Sequence, residues 1–141
     1  MSLNRIFGSF DVSGSALSAE QARMKAIADN IANASTTRTP EGGPYRRQRV
    51  VFETVLREAA DGTKETAGVR VAAVRKSDAP PLRVFDPDHP DADATGFVAY
   101  PDVSVPSEMI DMIAAARAYE ANLEAIKNFK GMVNKALAIA R

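Results

Sequence analysis

The chain has 141 residues, and its 18 Lys and Arg balance its 18 Asp and Glu, so the formal net charge is zero. Proteins that bind duplex nucleic acid normally carry a basic excess, which this composition lacks. The absence of cysteine excludes disulfides and thiolate sites, and a single histidine excludes histidine clusters. We expect neither a membrane-spanning segment nor a cleaved signal peptide, because no apolar run approaches ~20 residues and no cationic n-region precedes one.

The N-terminal segment repeats an apolar residue every seven positions: Leu3, Phe10, Leu17, Met24 and Ile31, with Ile27 beside that line. Seven residues are about two helical turns, so these side chains form one stripe on a helix. Gly8 and Gly14 weaken the first turns, and Ser18 has capping-box spacing to Gln21. The pattern therefore predicts a helix that begins somewhere in 5–16 and ends near Asn33.

The middle of the chain contains seven of its eight prolines, which lie between 40 and 101 and exclude long helices there. Four β-favouring runs, at 45–53, 69–75, 82–85 and 96–100, predict short strands separated by turns. They predict a small β-rich element.

The C-terminal segment has apolar residues at alternating spacings of three and four, which predict a helix over about 106–139 with a heptad stripe. The positions on this line are Val105, Met109, Met112, Ala116, Tyr119, Leu123, Ile126, Lys130, Val133, Leu137 and Ala140. Ser104 and Ser107 are candidate caps, and Pro106 fits a first turn.

These elements predict an elongated α+β fold, in which an antiparallel, coiled-coil-like pair of long terminal helices flanks a small central β-rich element. We expect a core helix in 1–34, a loop and β-rich element in 35–104, and a second core helix in 105–141. The two helices would form one discontinuous helical domain.

The segment whose composition most suggests a metal-binding site is 86–93, which has five titratable side chains within eight residues. It fails the calcium-loop template, since Pro90 occupies the fifth position and Asp91 the sixth, so we interpret it as an acidic turn. No nucleophile has both a base and an orienting group, so we predict no enzyme, metal or cofactor. The acidic segment 61–66 matches no role.

Two helices alone cannot bury both apolar stripes, so we expect copies or relatives of the chain to complete the core. The candidate assembly residues are Leu17, Met24, Ile27, Asn30, Ile31, Asn33, Met109, Met112, Ala116, Tyr119, Asn122, Leu123, Ile126, Val133 and Leu137. Arg46, Arg47 and Arg49 are candidates for polar contacts between subunits. Asn30 and Asn33 either stop the helix or also bond to an adjacent subunit or the partner helix.

Two segments resemble the flagellar rod and hook axial proteins. Residues 27–53 contain the Asn-Ile-Ala-Asn core that ends the first helix in that family, here Asn30 to Asn33, followed by Thr36 and Thr37. Residues 108–137 are similar to the family's C-terminal helix, and the stretch between looks like the members that form the proximal rod.

The resemblance implies a structural subunit of the bacterial basal-body rod, which polymerises with itself and other rod proteins through its terminal helices into a hollow, torque-transmitting shaft. It also implies export by the flagellar type III apparatus without a cleaved signal peptide, and a position in the rod that crosses the periplasm. The implied neighbours are other rod proteins, the export-gate adaptor and the distal rod, with no nucleic acid and no small-molecule substrate. The alternatives are a helical coiled-coil adaptor or another rod component of the same family.

Overall fold

The computed structural model describes residues 3–58 and 62–139, which form two long helices and two antiparallel hairpins. In chain order, the elements are α1 (Leu3–Ala32), β1 (Gln48–Glu58), β2 (Lys64–Lys76), β3 (Leu82–Phe85), β4 (Phe97–Tyr100) and α2 (Val105–Ile139). The predicted α+β class with terminal helices is confirmed.

The two helices run antiparallel along most of their length. The Phe10 and Phe129 rings lie 5.8 Å apart, whereas at the other end the Asn30 amide bonds to Glu108 at 2.9 Å. Moving 20 residues forward along α1, from 10 to 30, therefore corresponds to moving 21 residues back along α2, from 129 to 108. At 1.5 Å per residue, the 30-residue and 35-residue helices are roughly 45 and 52 Å long.

The start of α1 differs from the prediction, because the helix already begins at Leu3 and includes both Gly8 and Gly14. Tertiary packing offsets the weak local propensity, since α1 contacts α2, β1 and β2. Ser18 lies inside the helix and donates to the Gly14 carbonyl at 3.4 Å, so the predicted capping box is wrong.

The β1–β2 hairpin is longer than the sequence predicted. The strands run over 48–58 and 64–76 rather than 45–53 and 69–75, and shifts of register follow Val51 and Val55. It lies against α1, where the Ser15 hydroxyl accepts a bond from the Val69 amide at 3.1 Å. Gly68 makes this approach possible, since a Cβ there would lie 2.4 Å from Ser15 Oγ. The second hairpin pairs 82–85 with 97–100, essentially as predicted.

The core is small and built largely of alanine. Among the described residues, the buried apolar side chains are Ala19, Ala26, Ile27, Val98 and Ala115, whereas fifteen large apolar side chains are exposed. Alanine lets the helices approach closely but removes little apolar area from water. Much apolar surface thus remains uncovered in the single chain.

Candidate functional site: a polar junction between the helices and an exposed apolar face

A buried asparagine joins the end of α1 to β1 and α2. Asn30 is 1% exposed, and its amide makes four hydrogen bonds. Oδ1 accepts from the Tyr45 hydroxyl at 2.9 Å and from the Gln48 amide at 2.7 Å. Nδ2 donates to the Gln48 carbonyl and to Glu108 Oε2, both at 2.9 Å. Both donors and both acceptor positions of the side chain are therefore satisfied within one chain.

Glu108, in the first turn of α2, completes this junction with a buried carboxylate. It is 1% exposed, and Arg47 contacts its Oε1 through Nε at 2.6 Å and Nη2 at 2.5 Å. A buried charge is tolerated when it is paired and hydrogen-bonded, as here. The N-terminal position on α2 adds a favourable interaction with the helix dipole.

We define the junction as Asn30, Tyr45, Arg47, Gln48 and Glu108. Asp111 lies 3.6 Å from Arg47 and 3.7 Å from Arg23 of α1, which adds a second link between the helices. Burial raises the pKa of the Tyr45 phenol, and the nearby Asp29 and Glu108 carboxylates raise it further. The phenol is thus held in its neutral, hydrogen-bonding form. The arrangement fixes two helices and a strand in relative position.

Asn33 has a different role from Asn30. Its Nδ2 donates to the Asp29 carbonyl at 2.9 Å, and its Oδ1 accepts from the Thr36 hydroxyl at 3.2 Å. Both partners are local, and α1 ends at Ala32. Asn33 therefore terminates the helix, whereas Asn30 bonds across to the partner helix and to β1.

The three arginines proposed for polar contacts differ in their surroundings. Arg47 lies in the junction, and Arg46 bonds to the Ser77 carbonyl at 2.8 Å and to Asp78 at 2.5 Å. Arg49 is exposed, and its side chain forms no hydrogen bond or ion pair with any residue in 3–58 or 62–139.

The face of α2 that packs on α1 follows the predicted heptad line in the middle of the helix and departs from it towards the two ends. The fully buried positions are Glu108 and Ala115, with Met112, Ala116, Tyr119, Asn122, Leu123, Ile126 and Phe129 half-buried. Met109, Val133 and Leu137, all on the predicted line, are exposed. On α1, by contrast, Ile27 is buried and Leu17, Met24 and Ile31 are half-buried, so that stripe does face the rest of the chain.

Two apolar patches on α2 remain exposed. The first, the N-terminal patch, consists of Met109, Ile110 and Ile113, which are 56, 68 and 55% exposed. The second, the C-terminal patch, consists of Met132, Val133, Leu137 and Ile139. Exposed apolar clusters on a helix mark surfaces that pack on another chain.

The acidic segment 86–93 forms a turn whose groups bond locally. The Asp93 carboxylate accepts bonds from Thr95 and from the Phe97 amide, which lower its pKa to about 2. Asp91 accepts from the Thr37 hydroxyl at 2.8 Å, and its own amide donates to His89 Nδ1. In the part of the chain that the structure describes, no group of three or more His, Asp or Glu side chains is placed to hold a metal ion. The 61–66 segment begins at a residue outside the described ranges.

Comparison with known proteins places these elements in a family. The model of the flagella basal body rod protein family matches residues 10–38, and that of the flagellar basal body rod FlgEFG protein C-terminal region matches 94–139. The flagellar basal-body rod proteins FlgC of Borreliella burgdorferi and Salmonella typhimurium are each 42% identical to this chain. Those alignments cover 95 and 94% of this chain and 97 and 96% of the relatives. FlgC of Bacillus subtilis is 38% identical over 96% of this chain and 98% of its own.

The chain belongs to the FlgC family of flagellar basal-body rod proteins. It is thus a structural subunit of the basal-body rod, and the family is one of structural proteins rather than enzymes. The two matched regions contain Asn30 and Glu108, the helix residues of the junction, whereas β1 and β2 lie between them. Across residues 3–58 and 62–139, neither helix has the apolar character that crossing a bilayer requires.

Sequence reasoning missed Glu108 and Tyr45 as members of the junction. A carboxylate in a first helical turn is normally explained by the helix dipole and assigned to the surface. The signal that could have indicated a buried carboxylate was the cluster of Arg46, Arg47 and Arg49, because a buried carboxylate needs a cation. The sequence could not show which arginine supplies it.

Proposed function

We propose that this rod subunit belongs to the proximal rod and polymerises, with itself and with other rod proteins, through its two terminal helices. The polymer is a hollow shaft that crosses the periplasm and transmits torque, and its neighbours include the basal export-gate adaptor and the distal rod. The chain reaches the rod through the flagellar type III apparatus.

The observation that carries this proposal is the N-terminal patch on α2. Ile110 and Ile113 are exposed on a helix whose opposite face is already occupied by α1. Burial of a large aliphatic side chain contributes about 1.5–3 kcal/mol, so the patch gains substantially when a neighbouring subunit covers it. Residues 1–34 and 105–141 then act as one discontinuous helical domain, and residues 35–104 form a separate β-rich element.

Two groups among the candidate assembly residues have different roles under this proposal. Asn30, Met112, Tyr119, Leu123 and Ile126 hold the helix pair together and so shape the surface that assembles. Met109, Val133 and Leu137 are exposed and contact neighbouring subunits directly.

A pair of matched substitutions tests the proposal. Ile113→Lys on α2 and Val74→Lys on β2 replace side chains of equal exposure, 55 and 53%, and both should leave the stability of the monomer within about 0.5 kcal/mol. We expect Ile113→Lys to be exported but absent from purified basal bodies, with swimming lost, whereas Val74→Lys is incorporated. Normal incorporation of Ile113→Lys would contradict assembly through this face.

The competing hypothesis of a helical adaptor predicts a stable coiled-coil dimer. The apolar faces of this chain are already partly used within the monomer, because α1 packs on α2. We therefore expect the purified chain to be monomeric at micromolar concentration, and a dimer that persists on dilution would favour the adaptor.

A further inference from the structure

Two arginines face each other across the β1–β2 hairpin without a carboxylate between them. Arg49 pairs directly with Arg75 in the antiparallel register, and both are exposed. Side chains that lie opposite each other in such a pair have Cβ atoms about 4.5–5.5 Å apart, and like charges at this distance repel. Neither guanidinium has a hydrogen bond or an ion pair among the described residues.

The neighbouring cations do have partners, so the unpaired charge is confined to these two residues. Arg46 bonds to Asp78, Arg47 to Glu108, and Lys76 to Glu41. Arg49 and Arg75 line a hollow of about 290 Å³ together with Arg47, Lys76, Ser77 and Asp78. This surface, which we call the arginine pair, therefore presents ten guanidinium N–H donors and an open space beside them.

The turn before β4 carries the complementary pattern. Asp86 and Asp88 have no hydrogen-bonded or ion-paired side-chain partner within the parts of the chain that are described, although Asp91 and Asp93 do. The turn is held by backbone bonds, including the Asp86 amide to the Gly96 carbonyl at 2.9 Å. Pro87, between the two carboxylates, fixes its own φ angle. The two carboxylates are therefore presented on a preorganised turn.

Both surfaces lie at the same end of the molecule, where α1 ends and α2 begins. Arg49 follows Arg47, which binds the first turn of α2, and Asp91 binds Thr37 just beyond the end of α1. A basic surface and an acidic surface at one level of an elongated subunit can meet between laterally neighbouring copies. Such a head-to-tail contact uses different surfaces on the two partners and repeats into a ring or a helix.

We propose that the arginine pair of one subunit binds the carboxylates of Asp86 and Asp88 in a second copy of this chain. The proposal rests on the function given above, since it supplies a lateral contact within the rod. Guanidinium and carboxylate form paired, charge-assisted hydrogen bonds, and the backbones that carry them are held by the β1–β2 ladder and by the bonds of the turn. The contact also relieves the repulsion between Arg49 and Arg75.

Cysteine cross-linking tests the contact in assembled rods, because the natural chain contains no cysteine. A deletion strain of the source organism would produce two full-length chains, one with Arg49→Cys and the other with Asp88→Cys. Under mild oxidation, we expect a disulfide-linked dimer of the two chains in purified basal bodies, and none when Asp88→Cys is paired instead with Lys64→Cys from the opposite end of the hairpin.

Charge exchange provides a second, independent readout. Arg49→Asp with Arg75→Asp should reduce incorporation into basal bodies about tenfold or more, since the change brings like charges together at the interface. Adding Asp86→Lys and Asp88→Lys to the same chain should restore incorporation. The matched control, Arg57→Asp with Lys64→Asp, makes the same charge change at the far end of the hairpin and should be incorporated normally.

The outcomes separate this contact from the proposed function. If the natural chain enters basal bodies and the Arg49→Asp, Arg75→Asp variant does so equally well, the contact is wrong and the rod function stands. If Arg49→Cys cross-links to a different rod protein, the partner is not a second copy and the proposal is overturned. If the natural chain itself is absent from basal bodies, the proposed rod function is wrong, and the lateral contact that rests on it is wrong as well.

Discussion

Replacing Asn30 tests whether the polar junction holds the two helices together. Asn30→Ala removes four hydrogen bonds and leaves four groups, namely the Gln48 amide, the Gln48 carbonyl, the Tyr45 hydroxyl and Glu108 Oε2, without the bond that Asn30 supplied. A buried polar group that loses its partner costs about 1–3 kcal/mol. Tyr45 and Gln48 are half-buried and regain part of this from water. We therefore expect a loss of about 3–4 kcal/mol in the free energy of unfolding.

Asn33→Ala is the matched control, since it makes the same chemical change three residues further along. Asn33 is half-buried and bonds only to local groups, so its loss should cost about 1 kcal/mol. Urea unfolding of the purified chains, followed by far-UV circular dichroism, measures both. If Asn30→Ala costs no more than Asn33→Ala, the junction does not stabilise the helix pair.

Asn30→Asp adds a pH dependence that a simple loss of packing does not produce. The new carboxylate would replace Nδ2, which lies 2.9 Å from Glu108 Oε2, so the two carboxylates would share a proton and the folded-state pKa would rise above about 4. The proton stabilises the folded variant at low pH, and this contribution is lost as pH rises through the folded-state pKa. The deficit relative to the natural chain should therefore increase between pH 4 and 7, and a deficit that is constant over this range would refute the reasoning.

Three further predictions concern other contacts. Arg47→Ala leaves the Glu108 carboxylate buried without its cation and should cost about 3–5 kcal/mol in urea unfolding, whereas Arg46→Ala, whose partner Asp78 is exposed, should cost less than about 1 kcal/mol; similar losses would contradict the assignment. Leu123→Asp, on the half-buried face of α2, should leave export intact but abolish rod assembly and swimming, and normal swimming would show that this position is not buried. The pKa of Asp93, lowered to about 2, predicts that its stabilising contribution is present above about pH 4 and is lost as pH falls towards 2; NMR titration of this carboxylate checks it, and an ordinary midpoint would contradict it.

The sequence determined the arrangement of elements along the chain. Prolines confined to 40–106 left only the two ends for long helices, and the seven-residue repeats identified both of them. The β3–β4 strands were predicted almost to the residue, because proline and glycine turns bound them on each side. These signals are local, so the sequence alone contains them.

Tertiary structure decided which residue of the first turn of α2 packs inward. Residues 108 and 109 are neighbours on the helix, and either one continues the spacing of three and four that leads to Met112. The apolar pattern favoured Met109, but burial selected Glu108, because the Arg47 and Asn30 side chains satisfy that carboxylate. The expected apolar line consequently remains partly exposed.

The sequence indicated one part of the polar junction, because for Asn30 and Asn33 it left open a bond to the partner helix beside a simple helix stop, and Asn30 makes that bond. It did not indicate Glu108, which is 78 residues away and meets Asn30 only when the helices pack. The helix dipole already explains an acid in a first helical turn, so no local signal identified Glu108 as a buried partner. Folding brings Asn30 and Glu108 together with Arg47, the residue just before β1. A buried carboxylate is stable only where such partners converge.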